Sequence, residues 1–138
     1  DGVIMGYYFG KGDRARFGIG GFLVGVYDKT NDKFLTTTKV GSGATEEEWQ
    51  KIKKEVDKIK SKEKPLNYEV SKNLTCDVYC NPKIVVVIRA DEITISDEHA
   101  AGYALRFPRL MAIRDDKKPT DTTSVEELKH LYSLQSKL

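Results

Sequence analysis

Residues 41–65, "GSGATEEEWQKIKKEVDKIKSKEKP", decide the fold, because here a β-type period gives way to a helical one. Trp49, Ile52, Val56 and Ile59 recur at spacings of three and four and so share one helical face, while lysines and glutamates cover the other. Thr45 followed by Glu48 has the form of a capping box, and Pro65 lies beyond the far end, so the spacing predicts a helix over roughly residues 45–62. Its lysines alternate with acids, the pattern of a solvated face.

Upstream, "VIMGYYF" (3–9), "IGGFLVGVYD" (19–28) and "KFLTTTKV" (33–40) are apolar and β-rich, joined by a glycine-bearing loop and a "KTND" turn. They predict a meander of three strands. Downstream, residues 66–82 carry no clear period and read as a loop with a short strand. "KIVVVIRADEIT" (83–94) is an apolar run bounded by polar residues, the pattern of a buried central strand. Residues 103–114 supply the next strand, in which Pro108 donates no ladder hydrogen bond and favours an edge or a bulge. Ser124 and Glu127 make a second capping box, after which Val125, Leu128, Leu131, Tyr132 and Leu134 mark a short C-terminal helix. Three strands, a helix and two more strands fit a mainly β fold, the five-stranded Greek-key barrel of oligonucleotide-binding (OB) domains, with its helix between strands 3 and 4 and here a short C-terminal helix. An unrelated α+β sheet also satisfies this order.

At 138 residues the chain has the length of one domain, 1–138. Charged residues make up 32% of it, against the usual ~25%, yet they nearly cancel to a formal +2, so any electrostatic footprint must be local. Cys76 and Cys80 are the only cysteines and His99 and His130 the only histidines, so a tetrahedral zinc site would need partners from distant places, and no metal site is expected. The cysteines read as free thiols of an intracellular protein. "NLT" at Asn73 matches the glycosylation triplet, a pattern that arises by chance. No apolar run is long enough to cross a membrane, so the expectation is a soluble monomer in cytoplasm, nucleoid or nucleus. The chain opens at Asp1 in the approach to a strand, as expected of an excised fragment or a processed N-terminus.

Two segments concentrate cations. "GYYFGKGDRARFGIGGFL" (6–23) sets Lys11, Arg14 and Arg16 among glycines, which let backbone approach a ligand closely. Cations there suit a polyanion such as a nucleic-acid backbone, and a glycine-rich hairpin with a solvated basic tip fits equally. It is not a P-loop, because Gly12 rather than Ser or Thr follows Lys11 and no helix opens there. "ALRFPRLMAIRDDKKP" (104–119) carries Arg106, Arg109, Arg114, Lys117 and Lys118, either a solvated rim or a set aimed at phosphate. No Gly-x-Ser-x-Gly elbow or other self-sufficient catalytic constellation is present. Asp91 and Glu92 are adjacent and point to opposite faces of a strand, so they and His99 read as ordinary strand-end and loop polarity.

"GYYFGKGDRARFGIGGFLVGVYD", "TTTKVGSGATEEEW" and "ADEITISDEHAAGYALRFPRLMAIRDDKKPTDTTSVEELKHLY" together resemble the C-terminal barrel domain of ATP-dependent DNA ligases. The resemblance covers nearly the whole chain and is weakest from about residue 60 to 82. Its specific part is "ALRFPR" followed by "IRDDKKP" and "TTS", which looks like the family's last nucleotidyltransferase motif, Arg-x-Asp-Lys, here Arg114, Asp115, Asp116 and Lys117. The family's lysine nucleophile sits in a Lys-x-Asp-Gly motif of an upstream adenylation domain, and this chain contains no such motif. The resemblance therefore implies the second half of a two-domain core, inactive when isolated, which closes over ATP to assist lysine adenylation and then clamps nicked duplex DNA for phosphodiester formation. ATP and magnesium are implied for the full-length enzyme, with neither held tightly by this domain alone. Nicked double-stranded DNA and the adenylation domain of the same polypeptide are the implied partners.

The motif's cations, matched by Arg114 and Lys117, are expected to orient the pyrophosphate leaving group, and Asp116 to orient those cations. Arg106 and Phe107 match an Arg-Phe pair that family members insert into the minor groove beside the nick; a core aromatic next to a proline is the plainer reading of Phe107. Lys11 and Arg14 match a basic glycine loop suited to phosphate contact, with Arg16 a further candidate and Arg109 grouped among the DNA contacts. The related barrel of RNA ligases or messenger-RNA capping enzymes is one alternative. A free-standing single-strand-binding barrel, stacking bases on aromatics such as Tyr27 and Phe34, is another.

Overall fold

The structure, a computed structural model of the chain, describes residues 1–12 and 18–135. The meander forms as the alternation dictates: β1 (Gly2–Tyr8), β2 (Gly21–Asp28) and β3 (Lys33–Val40) pair antiparallel in sequence order. Helix α1 (Glu46–Lys58) follows. Two-residue strands β4 (Tyr68–Glu69) and β5 (Val78–Tyr79) then add to β3 and β1. β6 (Val85–Arg89) returns beside β1, β7 (Glu92–Ile95) and β8 (Tyr103–Arg106) form a separate hairpin, and β9 (Arg109–Arg114) pairs with β6. α2 (Val125–Gln135) is the last element. The sheet runs β4-β3-β2-β1-β6-β9, with β5 also on β1.

β1 is the spine, with Val3, Ile4 and Met5 fully buried and facing two cores. On one side Ile4, Phe22, Val40, Val86 and Leu110 receive Trp49, Ile52 and Val56 of α1. On the other, Val3, Met5 and Leu23 pack with Phe34, Tyr68 and Cys76. The capping box is formed: Thr45 Oγ1 accepts from the Glu48 N–H at 3.2 Å, and Glu48 accepts from the Thr45 N–H at 2.9 Å. α2 docks Leu128 against Val26 and Ala101, and the Gln135 amide bonds both backbone groups of Ile93 at 2.7 Å.

Four details differ from the pattern read along the chain. α1 ends at Lys58 instead of near residue 62, because Ile59 bonds back to Val56 and Lys60 leaves the helix to bridge Cys80. The run 83–94 breaks at Ala90–Asp91 into β6 and β7, and 103–114 breaks at Phe107–Pro108 into β8 and β9. The five strands expected thus become β1, β2, β3, β6 with β7, and β8 with β9, plus the short β4 and β5. Finally, no ladder closes the barrel among the described residues. The seam between β3 and the β7–β8 hairpin is held instead by the buried "TTT": Thr36 accepts from the Ala100 and Ala101 N–H groups, and the Thr37 hydroxyl donates to the Tyr103 carbonyl at 2.9 Å. Buried hydroxyls without partners would each cost about 1–3 kcal/mol, so the seam tolerates threonine because every one is satisfied.

Candidate nucleic-acid interface

The β8–β9 corner presents Phe107. Its ring is 65% exposed, which removes the core reading, and its backbone lies in the left-handed region at φ 54°. A bulky residue there costs on the order of 1–3 kcal/mol and persists only when its surroundings hold it. Arg109 does so: one guanidinium nitrogen donates to the Phe107 carbonyl at 2.9 Å and another meets Asp91 at 2.9 Å. Gly43, at φ +86°, lets the loop before α1 close on this brace, since a Cβ there would lie 2.5 Å from the Arg109 Cβ. Arg106 lies over the Phe107 ring, 5.4 Å from its centroid, and pairs with Glu92, its register partner across the hairpin, at 2.9 Å. Next along β9, the register slips by one residue at Met111, a bulge that leaves this side chain half exposed.

At the other end of β9, Arg114 bonds Asp116 through Nε and Nη2, both at 2.9 Å. These bonds, then one from its own backbone, pull the Asp116 carboxyl down to about 2, and they raise the Arg114 guanidinium in turn. Lys117 pairs with the Asp1 carboxylate rather than with Asp116, so Asp116 holds one of the two cations it was expected to orient. At ~3.4 Å per residue the Arg109 and Arg114 ends of β9 are about 17 Å apart. One strand therefore carries two separate cationic groups.

Lys11 is exposed and has no ion-pair partner among the described residues. It shares a surface cleft with exposed Phe9 and with Lys39, whose ammonium lies 4.1 Å above the Tyr8 ring. Arg14 and Arg16 lie outside the described residues. Phe34 is buried and Tyr27 packs on it with centroids 5.1 Å apart, so neither offers the open stacking platform of the single-strand reading. Cys76 and Cys80 are buried thiols pushed up to about 12 by desolvation, which makes them core groups rather than nucleophiles. No cluster of three or more metal-ligating side chains lies among the described residues. Nor is any helix there long and apolar enough to cross a membrane.

Asp91 and Glu92 are the residues that the sequence reading passed over. Asp91 lies in the break after β6 and Glu92 opens β7, so the hairpin register sets Glu92 opposite Arg106 while the break brings Asp91 to Arg109. The available signal was charge complementarity between "DE" and the "RFPR" that follows it.

The profile of a family described as "ATP dependent DNA ligase C terminal region" matches residues 15–117. The chain belongs to this family. Among curated relatives, a probable DNA ligase of Dictyoglomus turgidum is 48% identical over 99% of this chain and 25% of its own length. DNA ligase 2 of Korarchaeum cryptofilum is 39% identical over 100% of the chain and 24% of its own length. The chain thus spans about a quarter of the length of these DNA ligase relatives. In three dimensions it is similar to the ligase domain of M. tuberculosis LigD, with a TM-score of 0.67, 25% identity, and 88% of this chain and 37% of that one covered. A mycobacterial DNA ligase D solved with ATP and MES shares the fold at a TM-score of 0.65 and 24% identity, over 89% of this chain and 36% of that one.

Proposed function

We propose that this chain is the OB-fold half of the catalytic core of an ATP-dependent DNA ligase acting inside the cell. An upstream adenylation domain of the same polypeptide supplies the Lys-x-Asp-Gly nucleophile. The observation that carries the reading is the division of β9, with Arg106 and exposed Phe107 before one end and Arg114 with Lys117 at the other.

ATP supplies the AMP that is transferred and the pyrophosphate that leaves. Arg114 and Lys117 fit that leaving group: the guanidinium fork matches phosphate geometry, and its bond to exposed Asp116 lies within one turn, where exchange for a phosphate costs little. Preorganised cations of this kind stabilise charge that develops on the departing oxygen. Magnesium finds no matching donor cluster among the described residues, so no step of this chain runs through it.

With the barrel turned to DNA, Phe107 enters the minor groove beside the nick as an apolar wedge and Arg106 follows it. Arg109 keeps the wedge erect through the Phe107 carbonyl, acting as a positioning residue. Lys11 and Arg14 meet backbone phosphates, which fix register without reading sequence.

The chain works as a monomer, and its behaviour alone tests the reading. Incubated with labelled ATP and magnesium it should remain unlabelled. It should bind nicked duplex weakly, with log K falling against log salt at a slope of roughly −2 to −3, as expected for two or three neutralised phosphates. Lys11→Ala should flatten that slope by about one. A covalent adenylate on the isolated chain, or a slope near zero, contradicts the reading.

A further inference from the structure

Each cation of the Arg-x-Asp-Lys segment has its own carboxylate, and the two pairs are built differently. Arg114 bonds Asp116 two residues on, and the Asp116 side chain is 70% exposed, so water competes for that pair. Lys117 pairs instead with Asp1 from the other end of the chain, where the carboxylate is only 16% exposed and the lysine side chain 31%. A pair withdrawn from water in this way is screened less and keeps its geometry better. Asp1 is fixed in turn by its backbone: its nitrogen donates to the Thr123 hydroxyl at 3.2 Å, and its carbonyl accepts from the Thr123 N–H at 3.3 Å. Thr123 is itself pinned to β2, its carbonyl accepting from the Tyr27 N–H at 3.2 Å. Gly2, next in the chain, opens β1 and is the register partner of Val86. Asp1 therefore ties both ends of residues 117–123 to the spine of the sheet, by its side chain at Lys117 and by its backbone at Thr123.

We propose that Asp1 is a positioning residue for the adenylation step: its carboxylate holds the Lys117 ammonium by one N–H and leaves the other two for phosphate oxygens of ATP. The inference rests on the reading of the Arg-x-Asp-Lys segment given above. A lysine on its flexible four-carbon stem loses conformational freedom when it grips a phosphate, and Lys117 has given up that freedom already in the folded domain. Arg114 has two nitrogens committed to Asp116 and must exchange them to grip phosphate, whereas Lys117 can do so without leaving Asp1. In the step served, the nitrogen of the nucleophilic lysine bonds the α-phosphorus and gives up a proton to water. The bond from that phosphorus to the bridging oxygen breaks, and its electron pair leaves with pyrophosphate. Lys117 then faces oxygens that gain charge, at a place that Asp1 has set.

The test uses the full-length enzyme with Asp1→Asn, Asp1→Glu, Lys117→Ala and the Asp1→Asn/Lys117→Ala pair, following enzyme-adenylate formation and sealing of a nick supplied already adenylated. Asp1→Asn removes the charge but keeps the backbone bonds to Thr123, so thermal melts should stay close to the parent. Adenylation should slow by roughly tenfold, the usual effect of losing one charge-assisted contact, while sealing is spared. Asp1→Glu retains the carboxylate and should recover part of the rate. In the Lys117→Ala background Asp1→Asn should add nothing, because a positioning residue acts only through the group it positions. Adenylation unchanged or faster in Asp1→Asn, equal losses in both half-reactions, or the same loss with and without Lys117 overturns the inference and leaves the motif assignment in place. If Lys117→Ala itself spares adenylation, the motif assignment fails and the role of Asp1 fails with it.

Discussion

Phe107 gathers three features that a structural residue does not need: an exposed ring, a left-handed backbone and an arginine dedicated to its carbonyl. A residue kept in a disfavoured conformation for the sake of the core would be buried, and this one is not. Phe107→Gly removes both the ring and the backbone strain, so the gain from relief and the entropic cost of glycine nearly cancel. Stability to urea should therefore stay within about 1 kcal/mol of the parent, while affinity for nicked duplex drops. A loss of several kcal/mol with DNA binding intact would return Phe107 to the core. Neighbouring Asp91 and Glu92 follow the same logic, since the two carboxylates hold Arg109 and Arg106 in place around Phe107.

α1 was legible because every local signal agreed: Trp49, Ile52 and Val56 on one face, a capping box at Thr45, and acids in the first turn. Its contribution should be measurable at one atom. Thr45→Ala deletes the hydroxyl that caps the Glu48 N–H, and should lower stability by about 1 kcal/mol without altering the salt dependence of DNA binding; an unchanged denaturation midpoint would mean that packing of Trp49 alone sustains the helix start. The three-strand meander and the order of the elements were legible for the same reason. The break at Ala90 was not, because a continuous run from Ile84 carries no mark of where the hairpin leaves the sheet; at Phe107, Pro108 signalled an edge or a bulge but not a change of sheet. The pairing of Asp91 with Arg109 and of Glu92 with Arg106 depends on those breaks and stayed hidden with them. Of the site, the motif residues Arg114 and Lys117 could be named from sequence, but the partner of Lys117 could not, since Asp1 lies at the other end of the chain.

Taken whole, the molecule wraps two cores around β1, and it buries titratable groups in the process. Cys76 and Cys80 rise from the ordinary 9.0 to about 12 through desolvation, and burial raises Tyr7, Tyr8 and Tyr68 as well. Because the neutral forms are favoured in the fold, unfolded chains release protons first as pH rises. Stability should be at its full value below about pH 9 and fall from there toward about pH 12. A urea midpoint that stays flat up to about pH 11 would show that these groups titrate freely in the folded state.

At the same scale β9 keeps its two ends about 17 Å apart, and in the proposed function one end meets ATP and the other DNA. The most direct test measures both half-reactions in the full-length enzyme carrying Arg114→Ala or Phe107→Ala. Arg114→Ala should slow formation of the enzyme-adenylate by on the order of 10²- to 10³-fold and largely spare sealing of a nick supplied already adenylated, from which no pyrophosphate leaves. Phe107→Ala should spare self-adenylation and impair sealing. If Arg114→Ala slows both steps equally and Phe107→Ala slows neither, the two ends of β9 do not divide the reaction between them.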